Sequence, residues 1–152
     1  MTSRVRYSQA APGVYRAMLG LEEYVSSTGL DPVLLNLVRL RASQLNGCAF
    51  CLDMHAKDLR AAGESEQRVY MLDAWRETTF YSERERAALA WAEAVTLLPG
   101  HEVPDEVYEQ ARGQFSDQEL ANLTLAVVAI NGWNRLNVAF HTPAGSYQPR
   151  KH

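Results

Sequence analysis

The sequence has little cysteine, with only two in 152 residues. They lie three positions apart, at Cys48 and Cys51. A secreted domain that is stabilised by disulfides has more cysteines, and they are more widely spaced. A single Cys-x-x-Cys in a cytosolic chain is instead typical of a redox-active dithiol or of half a metal site. These two chemistries are therefore the first hypotheses for function.

Other features are missing as well. Fifteen Lys and Arg residues against eighteen Asp and Glu give a net charge of -3, so the chain has no basic excess to hold nucleic acid or an anionic membrane electrostatically. No apolar run approaches the roughly 20 residues of a membrane span, and residues 1–5 lack the apolar segment of a signal peptide. No glycine-rich dinucleotide motif, flavin signal or haem signal occurs. We expect a cytoplasmic protein without a bound cofactor.

Helix signals recur along the chain, whereas the alternation of polar and apolar residues typical of strands is nearly missing. An apolar fraction of 47% and a charged fraction of 22% suit one soluble domain. The pattern predicts an all-α bundle of about seven helices in a single domain spanning residues 1–152. The ordered core is expected over about 10–145, with a disordered tail from Ser146 to His152.

Capping residues, prolines and glycines set the predicted helix boundaries. Two capping boxes, Ser82 to Glu85 and Ser116 to Glu119, are the strongest of these signals. The predicted helices run over about 12–27, 32–46, 48–62, 65–75, 82–98, 104–113 and 116–141.

The two cysteines share a helix face with a histidine. At about 100° per residue, Cys51 and His55 fall within roughly 60° of Cys48, on the apolar side of the predicted helix. Cys48 is expected in the first turn, where free backbone N–H groups lower a thiol pKa. His55 is four residues after Cys51 and can hold or relay its proton. The shared helix face therefore predicts that Cys48 and Cys51 form a disulfide reversibly, near a cleft.

Two alternatives remain open for these residues. Cys48 and Cys51 can simply pack as small hydrophobic side chains. Together with His55 they can also supply three zinc ligands, with His141 as the one plausible fourth. No second Cys-x-x-Cys or His-x-x-x-His is present to complete such a site.

Glu93 is a further candidate because its neighbours, residues 87–95, are almost entirely apolar. A buried carboxyl group has a raised pKa and can shuttle protons near neutrality. The competing interpretation is a buried ion pair with an arginine such as Arg39, Arg41 or Arg135.

The segment from Leu40 to His55, which reads LRASQLNGCAFCLDMH, resembles the signature of the carboxymuconolactone decarboxylase superfamily. More narrowly, it resembles the alkylhydroperoxidase D-like branch that carries Cys-x-x-Cys. Residues 75–78, 85–96 and 131–135 agree with it, and the resemblance covers roughly residues 10–145.

The resemblance implies an all-α homo-oligomer, often a trimer or hexamer, with peroxiredoxin-like activity. It implies that Cys51 attacks a small hydroperoxide and becomes a sulfenic acid. Cys48 then donates a proton and closes the disulfide, and His55 belongs to the proton relay. An external dithiol protein would reduce the disulfide.

One position departs from this pattern. The peroxidases carry a glutamate twelve residues before the first cysteine, where this chain has Asn36, and an amide cannot exchange a proton at ordinary pH. Either the relay is incomplete or another acid such as Glu93 replaces the glutamate. A redox sensor, a zinc-supported module and a cofactor-free lyase using Glu93 and His55 are the alternative functions.

Overall fold

The computed structural model describes residues 1–150 and contains eight α-helices within them. The all-α prediction is confirmed, and no helix in this part of the chain is long and apolar enough to cross a membrane. The helices are α1 (Tyr7–Ala10), α2 (Pro12–Ser27), α3 (Pro32–Asn46), α4 (Ala49–Ala61), α5 (Glu66–Tyr70), α6 (Glu83–Leu97), α7 (Asp105–Arg112) and α8 (Asp117–Phe140). Two 3₁₀ segments, Leu72–Glu77 and Pro99–His101, follow α5 and α6.

The observed helices differ from the predicted seven at two places, and α1 accounts for the eighth helix. The short helix α1 has no side-chain cap, and the Tyr7 hydroxyl instead ties it to Asn137 on α8 at 3.1 Å. The helix predicted over 65–75 stops at Tyr70 and resumes as the segment Leu72–Glu77, in which Ala74 has non-helical φ and ψ angles. A tertiary contact rather than a local sequence signal accounts for the first difference.

The helix α3 lies at the centre of the bundle, packed against α4, α6 and α8. Its leucine-rich sequence is buried on more than one side. Leu34 and Val38 belong to one apolar cluster, with residues of α6 and α8. Leu37 and Leu40 belong to a second cluster with Leu59 of α4. A helix that is apolar on several faces is stable only inside the protein, which explains its central place.

The turn between α3 and α4 fixes the first cysteine. Gly47 adopts a left-handed conformation, with φ of 64°. Its N–H donates to the last turn of α3, and the N–H of Cys48 donates to the carbonyl of Ser43 at 3.1 Å. This glycine-terminated motif satisfies the free carbonyls at the end of the helix. Cys48 consequently becomes the N-cap residue of α4 rather than a residue of its first turn.

Segments near both ends of the described residues pack against the bundle. The backbone N–H of Arg4 donates to the Phe140 carbonyl at 3.0 Å, and the Tyr147 hydroxyl donates to the Asp58 carboxylate at 2.6 Å. The tail predicted to be disordered from Ser146 is therefore anchored at Tyr147 by a residue of α4. The last two positions of that prediction, 151 and 152, lie outside the described residues.

A Gly47→Ala substitution should lower the free energy of unfolding by about 1 kcal/mol, because alanine is strained at a positive φ. Apart from the glycine itself and its two chain neighbours, no atom lies within 4 Å of the added Cβ, so the backbone conformation supplies the whole effect. Gly20→Ala is the control, since Gly20 lies within α2 and also has open space around it. That control should raise stability by about 0.5–1 kcal/mol. Urea denaturation measures both, and equal effects would contradict the prediction.

Candidate active site

The sulfur atoms of Cys48 and Cys51 lie 2.8 Å apart, and both cysteines are free thiols. The first precedes α4 and the second lies in its opening turn, so the helix itself brings them together. Both are buried, with 1% and 2% of their surface exposed. The predicted juxtaposition of the two thiols is confirmed.

Of the two thiols, one ionises readily and the other does not. A hydrogen bond with the Cys51 thiol lowers the pKa of Cys48 to about 7, although burial acts in the opposite direction. The backbone N–H groups of Cys51 and Phe50 and the side chain of Asn134 make smaller contributions to this lowered pKa. The same hydrogen bond and burial raise the pKa of Cys51 well above its usual range. One proton is thus shared between the sulfurs, as expected for a helix N-terminus.

A network of asparagine side chains, of which Asn134 and Asn137 are buried, contacts the pair. Asn46 donates to the side-chain oxygens of Asn131 and Asn134, each at 2.9 Å. Asn134 in turn donates to the Ser43 hydroxyl at 3.0 Å, and Asn137 donates to the Cys51 sulfur at 3.5 Å. The polar patch late in α8 is therefore a satisfied hydrogen-bond network. It connects α8 to the residues that position the cysteines.

A cavity of about 760 Å³ reaches Cys51 and His55. Among residues 1–150, Cys51 lines this cavity and Cys48 does not. The wall is largely apolar and aromatic, and Asn36 also faces the cavity. Its apolar lining includes Tyr15, Leu19, Phe50, Met54 and Trp133. An organic molecule with an apolar body fits such a wall.

His55 is almost fully buried, with 8% of its surface exposed. Burial and then the charge of Arg39 lower its pKa to about 3, so the imidazole is neutral near pH 7. Its Nδ1 has no hydrogen-bond partner within residues 1–150, and the Asp58 carboxylate is 3.9 Å away. His55 lies in the cavity wall with Cys51, as the shared helix face predicts.

The raised pKa predicted for Glu93 is wrong, and the competing ion-pair interpretation is confirmed. Burial alone would raise the pKa, but hydrogen bonds from Trp75, Arg41 and Arg76 lower it overall. These three donors lie 2.6–2.8 Å from the carboxylate. Glu93 is not a wall residue of the cavity in residues 1–150. The structure therefore does not bring this carboxylate to the cysteine pair.

The carboxylates that do line the cavity are Glu22 and Asp58. Glu22 accepts from Arg39 at 2.7 Å and from the Trp133 indole at 3.1 Å. Sequence reasoning missed both residues. Nothing marks Glu22 within α2, because its partners come from distant parts of the chain. Asp58 could have been found, since it is three residues after His55 and hence on the same helix face.

The zinc alternative requires ligands that the fold does not assemble. Among the described residues, no group of three or more His, Cys, Asp and Glu side chains is arranged to hold a metal ion. His141, the proposed fourth ligand, instead ends α8 in a left-handed conformation.

A model of the carboxymuconolactone decarboxylase family matches residues 12–94. The chain belongs to this family. It is 42% identical to the uncharacterized protein YdfG of Bacillus subtilis (strain 168), over 96% of this chain and 99% of that protein. It is 32% identical to the uncharacterized protein YnjA of Escherichia coli (strain K12), over 76% of this chain and 63% of that protein.

Two solved structures have the same fold as this chain. ATU0492 of Agrobacterium tumefaciens, a protein of unknown function regarded as a candidate antioxidant defence protein AhpD, superposes with a TM-score of 0.92 and 43% identity. That comparison covers 96% of this chain and all of ATU0492. The debrominase Bmp8 superposes with a TM-score of 0.81 at 21% identity, over 91% of this chain and 74% of Bmp8. At that identity the likeness shows the fold alone.

In the reduced protein, one thiolate per chain should form with a pKa near 7, because the Cys51 hydrogen bond stabilises the ionised Cys48. The ultraviolet absorbance of the thiolate, followed against pH, measures this. A Cys51→Ala substitution removes the hydrogen bond and should raise the pKa of Cys48. The urea-unfolded chain is the control and should titrate at the ordinary value of about 8.5. A folded protein that titrates like the unfolded chain would contradict the shared proton.

A Glu93→Gln substitution should destabilise the fold by about 2 kcal/mol, because the buried Arg41 loses one of its two carboxylate partners and keeps only Asp73. The pKa of Glu93 is lowered in the folded protein, so the carboxylate stabilises the fold above its unfolded pKa of about 4.3. That contribution is lost as the pH falls below this value. The acid-induced loss of stability should therefore be smaller in the variant. Urea denaturation at pH 7 and pH 4 measures both effects. If the variant loses as much stability between these pH values as the wild type does, that result would argue against the ion pair.

Proposed function

We propose that the protein is a thiol-dependent peroxidase that reduces small organic hydroperoxides by cycling a Cys48–Cys51 disulfide. The observation that carries this proposal is the 2.8 Å contact between the two sulfurs, with one of them in the wall of a largely apolar cavity. The candidate assignment of ATU0492 to antioxidant defence supports it, since that protein is 43% identical over nearly the whole chain.

The first step is attack on the peroxide. In the resting pair, the thiolate is at Cys48 and the proton is on Cys51. Transfer of this proton across 2.8 Å places the negative charge on Cys51, which faces the cavity. The thiolate attacks the outer oxygen of the hydroperoxide, and the O–O bond breaks. Cys51 becomes a sulfenic acid, and the alkoxide leaves with the proton that Cys48 received.

The second step closes the disulfide. Cys48 is again a thiolate and attacks the sulfur of the Cys51 sulfenic acid, which releases hydroxide. One proton from solvent converts the hydroxide to water, and His55 can pass this proton because it lies in the same cavity wall. One hydroperoxide and one proton are consumed for each alcohol, water and disulfide formed.

Reduction of the disulfide requires an external dithiol. A thiolate of this partner attacks one sulfur of the Cys48–Cys51 disulfide, and its second thiol resolves the mixed disulfide. Both cysteines then return to the reduced state. We propose this dithiol protein as a partner, and we propose that the chain assembles into trimers or hexamers.

Turnover should depend on both cysteines but in different ways. Cys51→Ser should abolish reduction of tert-butyl hydroperoxide in the presence of dithiothreitol, because the attacking sulfur is lost. Cys48→Ser should still form a sulfenic acid, which a dimedone label detects by mass spectrometry, but no intramolecular disulfide.

The two variants are matched controls because each changes one buried cysteine to serine. Equal labelling of both would contradict the assignment of Cys51 as the attacking residue. A wild-type protein that is oxidised once and is not turned over would instead support a redox sensor, which is the function favoured by Asn36.

A further inference from the structure

His55 has an unpaired polar atom in the interior. Its Nδ1 is buried and has no hydrogen-bond partner within residues 1–150. Unpaired buried nitrogen atoms are uncommon in folded proteins and call for an explanation. The nearby Oδ2 atom of Asp58 is 3.9 Å from Nδ1. A side-chain shift of about 1 Å would bring the two atoms into hydrogen-bond distance.

Asp58 is already held in place from its other side. Its Oδ1 accepts a hydrogen bond from the Tyr147 hydroxyl at 2.6 Å. The carboxylate thus has one oxygen fixed by the C-terminal segment and the other beside His55. Asp58 and His55 both line the cavity that reaches Cys51.

The backbone of the C-terminal segment is fixed on α4 independently of Asp58. The Lys57 ammonium donates to the carbonyls of Gly145 and Tyr147 at 3.1 and 3.0 Å. The N–H of Gly145 donates to the Asp53 carboxylate at 3.1 Å. These contacts place the Tyr147 ring where its hydroxyl meets Asp58.

The other acids near the site have different partners. Glu22 forms an ion pair with Arg39 at 2.7 Å, and Glu93 is held by Arg41 and Arg76. The charge of Arg39 also disfavours a protonated His55. Asp58 is the cavity carboxylate within 4 Å of the imidazole.

We propose that Asp58 is a positioning residue that accepts a hydrogen bond from Nδ1 of His55, and that Tyr147 holds Asp58 for this purpose. The hydrogen bond would keep the proton of the neutral imidazole on Nδ1 and leave Nε2 free to accept a proton. A carboxylate commonly orients a functional histidine in this way. This inference rests on the proposed peroxidase function.

The test compares Asp58→Ala with Asp53→Ala, which changes the same residue type on the same helix. Both remove a contact to the C-terminal segment, but only Asp58 lies beside His55. Asp58→Ala should lower kcat for tert-butyl hydroperoxide about tenfold or more with little change in KM, because proton transfer is impaired. Tyr147→Phe should lower kcat less than Asp58→Ala does, and Asp53→Ala should lower it no more than Tyr147→Phe.

Proton–nitrogen correlation spectra of the His55 ring, assigned with a His55→Gln variant, give a second measurement that does not depend on turnover. The wild type and Asp53→Ala should carry the proton on Nδ1, and Asp58→Ala should shift it toward Nε2. An unchanged tautomer in Asp58→Ala, or an equal loss of kcat in Asp53→Ala, would overturn the inference. If the wild type carries the proton on Nδ1 but does not turn over peroxide, the proposed function is wrong. The pairing of Asp58 with His55 would then still stand.

Discussion

The contact between the two sulfurs depends on how α3 ends. A left-handed residue at Gly47 stops this helix, and α4 begins two residues later at Ala49. Cys48 therefore caps α4 while its own N–H is bonded to Ser43 of the preceding helix. The thiol lies beside the free N–H groups of the new helix, and Cys51 follows one turn later. With a longer connection between α3 and α4, the residue bonded to Ser43 would no longer be the N-cap residue of α4.

The buried asparagines give the cysteine pair a polar environment inside an apolar bundle. Fully buried amides are costly unless their donors and acceptors are paired. Here Asn134 is paired with both Asn46 and Ser43, and Asn137 contacts Cys51. Because this network joins α8 to α3, it resists movement of either helix relative to the thiols. The arrangement accounts for a reactive site that is pre-formed and yet nearly sealed from bulk water.

Local signals predicted the main helices and the dithiol face, because they depend on residues close together in the sequence. The capping boxes at Ser82 and Ser116 begin helices as expected, and the spacing of Cys48, Cys51 and His55 places them together. Long-range pairing could not be predicted in this way. The partners of Glu93 come from α3 and from the 3₁₀ segment, so an apolar sequence context gave the wrong sign for its pKa. The contact of Tyr147 with Asp58 of α4 joins residues 89 positions apart, so no local pattern predicts it.

Trp133 provides the cavity with an intrinsic optical reporter. Its ring lies in the wall beside the apolar lining, and its indole N–H is bonded to Glu22. The other two tryptophans, Trp75 and Trp91, are buried in the bundle and do not line this cavity. Indole emission responds to the polarity and hydrogen bonding around the ring. A molecule that enters the cavity would therefore change the emission of one tryptophan in three, without a label attached to the protein.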